Sequence, residues 1–154
     1  MRVEHISVGE REVDVVVRFA AEEPLRSSAY PELPARLLEL LPKLALHDCE
    51  NDRGRPFVAE VGDTELAHVF EHVTLELMAQ AGSPRTTRAA TSWDFRRDGR
   101  GVFHVAIAYD DDLVSLGAIK LADAVLRHLL EGEQPPDLDA ELARLRALRN
   151  RPRR

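Results

Sequence analysis

The stretch His68-Val-Phe-Glu-His-Val-Thr-Leu-Glu76 decides how this chain is read. Two histidines stand four apart, Glu71 directly precedes the second, and Glu76 follows four later. The flanking residues favour helix, and the spacing predicts one over Glu65–Ala81, with Asp63 or Thr64 as cap and Gly82-Ser83-Pro84 as stop. At about 100° per residue, Leu66, Phe70, Val73 and Leu77 fall on one side as a core stripe. His68, Glu71, His72 and Glu76 turn away from it. Replacing either histidine is therefore expected to leave the fold intact. Leu75, Met78 and Ala79 share the polar side, so a cleft wall is expected to cover it.

Histidines at this spacing point the same way and can hold one Zn²⁺ through ring nitrogens. A glutamate just before the second one can reach a water on that ion and take its proton. His-x-x-Glu-His is the inverted form of the zinc-protease motif. Glu71 is thus the candidate base, and His68, His72 and Glu76 are the candidate ligands. Glu76 lies about 12 Å along the axis from His68, so convergence would be stretched. His47, Cys49 and His104 stay open as alternative third ligands. A polar face held by pairs at four-residue spacing is the simpler reading of the same pattern.

Outward from this helix, Arg2–Val8 and Glu12–Phe19 alternate as strands, with Gly9-Glu10 able to turn between them. A helix is expected from about Pro34 to Leu44, ended early by Pro42. Pro56–Val61 reads as a short strand. Thr91–Arg97 and Gly101–Tyr109 read as a hairpin around Asp98-Gly99. A helix over Leu113–Leu130 follows, then a linker, Glu131–Asp137, and a short terminal helix marked by Leu138, Leu142, Leu145 and Leu148. The expected class is α+β, a mainly antiparallel sheet with helices packed on one face. Residues 1–132 form the expected domain. Residues 133–154 form a linker, a loosely docked helix and a basic tail.

The chain has 154 residues, 44% of them hydrophobic and 31% charged. That suits one domain with a sizeable core. The net charge of −6 argues against general nucleic-acid binding. Arg144, Arg146, Arg149, Arg151, Arg153 and Arg154 crowd the C-terminus, as a solvated tail or as a site for an acidic partner. No apolar run reaches the roughly 20 residues of a membrane span. The start lacks a signal-peptide pattern. Cys49 has no second cysteine to pair with. A cytoplasmic protein is expected, without nucleic acid or membrane; homo-oligomerisation is left open.

Leu41-Pro-Lys-Leu-Ala-Leu-His-Asp-Cys49, Thr64–Gly82, Arg85-Thr-Thr-Arg88 and Gly101–Asp111 together resemble the N-terminal domain of cyanophycin synthetases, in order and spacing, over about Leu41–Leu130. His47 and Cys49 match that family's His-x-Cys pair. His68, Glu71, His72 and Glu76 match its helix, and Arg85 or Arg88 its Arg-containing turn. The resemblance implies a metallopeptidase-like hydrolase that cuts cyanophycin, a polymer of aspartate carrying arginine on each side chain, into shorter primers. It implies His68 and His72 as ligands and Glu71 as base. The motif is also similar to that of pitrilysin-type peptidases, whose third ligand is a distant glutamate. Lys43 replaces a glycine, Thr64–His68 replaces a Trp-Leu-Gly approach, and the arginine turn is one residue longer. No Gly-rich phosphate loop stands in the 154 residues, so a domain without the family's ATP-using ligase parts is expected.

The expected activity is zinc-dependent hydrolysis of amide bonds in cyanophycin-like or β-aspartyl-arginine polymers. Arg85 and Arg88 are expected to bind substrate carboxylates. The alternative is a non-catalytic binding or scaffold module whose His/Glu face meets a partner protein.

Overall fold

The computed structural model describes residues 1–49 and 54–152. Strands β1 (Arg2–Val8) and β2 (Glu12–Arg18) form the first hairpin. Helix α1 (Leu33–Leu40) and a 3-10 segment (Pro42–Leu46) follow. Then come α2 (Phe57–Glu60), α3 (Leu66–Gln80), β3 (Ala89–Ser92), α4 (Phe95–Asp98), β4 (Val102–Ala108), α5 (Asp112–Glu131) and α6 (Leu138–Arg149). The sheet order is β1-β2-β4-β3, every neighbour antiparallel. The fold is α+β.

Alternation builds the sheet. Val13, Val15 and Val17 of β2 and Phe103, Val105 and Ile107 of β4 are buried on one face. Helices α3 and α5 pack there. The intervening residues, such as Asp14 and Arg18, stand on the outer face and stay at least partly exposed. The stripe Leu66, Phe70, Val73 and Leu77 is buried as its spacing requires. Among the described residues, no helix is long and apolar enough to cross a membrane.

Three local expectations change. Pro56–Val61 is not a strand. Only an isolated bridge, Asp48 to Pro56, remains of it, and the chain turns helical at Phe57. The helix expected from Pro34 does end early, as Pro42 was expected to make it: α1 stops at Leu40 and Pro42 opens a separate 3-10 segment. No side chain caps α3: its first turn is pinned by Leu66 N–H donating to Leu25 C=O and by Ser27, whose N–H donates to Thr64 C=O and whose hydroxyl accepts from Thr64 N–H. The expected second hairpin does pair, as β3 with β4, but β3 starts at Ala89 and ends at Ser92. The Asp94 carboxylate accepts from the N–H groups of Arg96 and Arg97, turning the connection into α4 instead of a tight turn at Asp98-Gly99.

Nor is the terminal helix loose. Leu142 and Leu145 of α6 are buried against α5. Gly117 makes room: a Cβ there would lie 2.3 Å from Leu145 Cδ2. Arg146 donates to Gln80 C=O, Arg149 pairs with Asp110, and Arg151 pairs with Asp111. The arginines that read as a solvated tail thus tie α6 to the ends of α3 and α5. Arg153 and Arg154 lie outside the described residues.

Candidate metal centre

Helix α3 is buried on both sides. Glu71 is 6% exposed, His72 3% and Glu76 0%. The cover on the polar side comes from residues 44–49 and 54–61. Its two arms are tied together by Cys49 N–H donating to Arg55 C=O and Phe57 N–H donating to His47 C=O. This pairing sets His47, Cys49 and Phe57 over the helix. The Phe57 ring stacks on His72, with centroids 4.3 Å apart and planes at 24°, and meets His68 edge-on at 6.0 Å. His72 is therefore part of the packing. Loss of His72 would disturb that packing, against the expectation that either histidine is removable without cost to the fold, whereas His68 is only half-buried.

His68, His72 and Cys49 come together. Their ligand atoms all lie within 4.8 Å of one another. His72 Nε2 is 3.1 Å from His68 Nε2 and 3.5 Å from Cys49 Sγ. Glu76 stands elsewhere: His47 Nε2 lies 2.8 Å from it, Arg85 donates to both its oxygens, and Gln80 donates to Oε1. His104 belongs to another place altogether. It pairs with Asp98 and sits opposite Val16 on the outer face of the sheet, so it is not a third ligand.

The hydrogen bonds around the cluster admit one set of tautomers that suits ligation. In that set His47 donates from Nε2 to the Glu76 carboxylate and accepts at Nδ1. His72 Nδ1, 3.0 Å away, must then be the donor, and His72 Nε2 carries a lone pair. In the same set the Thr64 hydroxyl, 2.9 Å from His68 Nδ1, accepts from that nitrogen. His68 Nε2 is bare as well. Two lone pairs 3.1 Å apart with a thiol beside them repel one another unless a cation lies between them. Each histidine gives its other nitrogen to a hydrogen-bond partner, as ligating imidazoles do. Two imidazoles and one sulfur suit Zn²⁺. The donor set fits the ion that the motif implies.

Glu71 is adjacent. Its Oε2 accepts from the Thr91 hydroxyl of β3 at 2.6 Å. Burial raises the Glu71 carboxyl above its ordinary value, against the downward pull of Thr91 and His68. Burial, aided by Glu60 and Glu71, pushes the Cys49 thiol up to about 12. Burial would also raise Glu76, but His47, Arg85 and Gln80 outweigh it and hold Glu76 at about 2. Burial, followed by the neighbouring His68 and His47, lowers His72 to about 3.

A stability profile follows. An unfolded His72 gains a proton as pH drops below 6.5, whereas the folded one waits until about 3. Over that window the unfolded state binds more protons, so lowering the pH destabilises the fold. Glu76 acts in the same direction, its stabilising contribution being lost between 4.5 and about 2. Metal-free protein is expected to show a melting temperature that falls from pH 6.5 toward 3, with a His72→Gln variant losing most of the slope above pH 4.5. Scanning calorimetry across that range checks this, and a flat wild-type profile would contradict it.

The cluster lies in a cleft of about 980 Å³. Arg85 and Arg88, Ala89 to Thr91 and Trp93 line one part of it, and His47 to Cys49 and Glu60 another. Phe57 and Thr91 were not singled out from the sequence, and Thr64 entered only as a helix cap. Phe57 was hidden in a misread strand, and a lone threonine carries no local signal.

A family model described as the cyanophycin synthase-like N-terminal domain matches residues 14–131. The chain belongs to that family. A cyanophycin synthetase from Geminocystis herdmanii is 30% identical over 114 residues, 66% of this chain and 13% of that protein. The chain therefore spans only a small part of that synthetase. The matched range of the cyanophycin synthase-like domain begins within β2 and ends with α5, and it contains every residue of the His/Cys/Glu cluster.

Proposed function

We propose that this domain is a zinc-dependent hydrolase of amide bonds acting on cyanophycin-like, β-aspartyl-arginine polymers. The observation that carries the reading is the convergence of two histidine nitrogens and Cys49 Sγ beside a buried carboxylate in one cleft. Kinship with a cyanophycin synthetase supports the substrate class.

His68, His72 and Cys49 would hold the ion. Glu76, through His47, keeps His72 in the ligating tautomer and acts as a positioning residue instead of the third ligand expected from spacing. A divalent ion supplies Lewis acidity toward the scissile carbonyl. Glu71 removes a proton from the attacking water as the carbon–oxygen bond forms, then returns it to the departing nitrogen as the carbon–nitrogen bond breaks. A carboxyl raised by burial is better matched to that exchange near neutral pH than an exposed one. Arg85 keeps donors beyond the two it gives Glu76. With Arg88 it makes a basic rim suited to substrate carboxylates. Phe57 keeps bulk water from one side of the cluster.

Elemental analysis of zinc-supplemented protein is expected to find one ion per chain, and that protein is expected to release soluble fragments from purified cyanophycin. Protein that holds no ion and cleaves nothing would favour the non-catalytic scaffold instead.

A further inference from the structure

Among the described residues, strand β3 is an edge strand paired only with β4. Its neighbour on the open side is the cleft, which Ala89, Ala90 and Thr91 line directly. The register shows which main-chain groups face outward. Ala108 N–H donates to Arg88 C=O, which marks Arg88 and Ala108 as a hydrogen-bonded pair. Alternation makes Ala90 with Ala106 and Ser92 with His104 hydrogen-bonded pairs too. Ala89 and Thr91 therefore turn both N–H and C=O away from β4. Among the described residues, none of these four groups has a hydrogen-bond partner.

The placement of this free edge is chemical as well as topological. The Thr91 side chain holds Glu71, so the outward-facing main chain of Thr91 is one residue's reach from the proposed base. Arg85 marks one end of the run, beside Glu76 at the far end of α3, and half-exposed Trp93 marks the other.

We propose that the free edge of β3 takes up an extended polypeptide main chain as an added strand, bonded to Ala89 and Thr91, and thereby lays a peptide across the His68–His72–Cys49 cluster. The occupant is the substrate polymer itself, and the assignment rests on the amide-hydrolase reading above. Four main-chain bonds fix the register of the chain, and alternate side chains project to opposite sides of it. Recognition of this kind is indifferent to side-chain identity along the backbone. The basic rim then selects for carboxylates.

Amide hydrogen exchange on the Glu71→Gln protein, saturated with a short synthetic β-aspartyl-arginine oligomer, tests this without turnover. The Ala89 and Thr91 amides are expected to exchange fast alone and to become protected with the oligomer. Ala90 and Ser92, already paired, should change little. Ala89→Pro removes one outward donor at a position where an edge strand tolerates proline. It is expected to raise KM about 10-fold or more, with ion content and melting temperature unchanged. Ala89→Ser, which keeps the N–H, should retain the wild-type KM. If the oligomer fails to bind, or binds without protecting Ala89 and Thr91, strand addition is overturned. Turnover with unprotected amides would leave the hydrolase reading standing alone. Protection without turnover by wild-type protein would leave only strand addition.

Discussion

Glu71→Gln is expected to lower hydrolysis of an arginine–aspartate polymer by at least about 100-fold, the usual worth of a positioned base, while ion content and melting temperature stay close to wild type. The substitution is nearly isosteric. Thr91 Oγ1 donates to Glu71 Oε2, and a glutamine oxygen accepts the same bond, so β3 keeps its tie to α3. A neutral amide also sits easily in a site where burial already disfavours the ionised carboxylate. What the amide cannot do is take a proton from water. The loss should therefore fall on kcat, with KM little changed. In free energy, 100-fold corresponds to about 2.7 kcal/mol of the barrier. Wild-type turnover by the Glu71→Gln enzyme would remove Glu71 from the mechanism.

His68→Ala is expected to abolish stoichiometric ion binding, and with it all measurable hydrolysis. His68 is the better probe because His72 also packs: its ring stacks on Phe57 and is 3% exposed, so His72→Ala should lose the ion and melting temperature together. Cys49→Ala should lose the ion as well, since its sulfur is the third donor within reach. The relay behind the ligands should be graded. His47→Ala or Glu76→Gln frees His72 to adopt either tautomer, and the usual cost of such a loss is about 10–100-fold in metal affinity. Because the Cys49 thiol must give up its proton to ligate, affinity should rise with pH. Calorimetric zinc titration of each variant measures all of this. Undiminished binding by His68→Ala would place the ion elsewhere. Undiminished binding by Cys49→Ala would return the third position to another donor, with Glu76 the first to test.

Much was legible in the chain itself. Period-two alternation in Glu12–Arg18 and Val102–Ala108 marks half-buried strands, because successive side chains point to opposite faces. The stripe Leu66, Phe70, Val73 and Leu77 marks the buried face of α3, because a helix returns every three or four residues. The His68–Glu71–His72 grouping needs nothing beyond that geometry to share one side. These are local relations, set by backbone periodicity.

The third donor of the cluster and its supports are not local. Cys49 reaches His72 across 23 positions, Thr91 reaches Glu71 across 20, and Arg85 takes Glu76 into an ion pair. Periodicity makes Glu76 look like a ligand, since it continues the face of both histidines. Tertiary packing brings a cation and a histidine to it instead, and a carboxylate with zero exposure keeps the partners that neutralise it. Pro56–Val61 is the reverse case. It read as a short strand, but among the described residues only an isolated bridge from Asp48 to Pro56 pairs it, and its backbone bonds close within a turn of helix that carries Phe57 onto His72. The sequence by itself determined which residues share a face of α3. Only the folded chain decided which distant groups meet that face, because a contact between segments depends on where every intervening element packs.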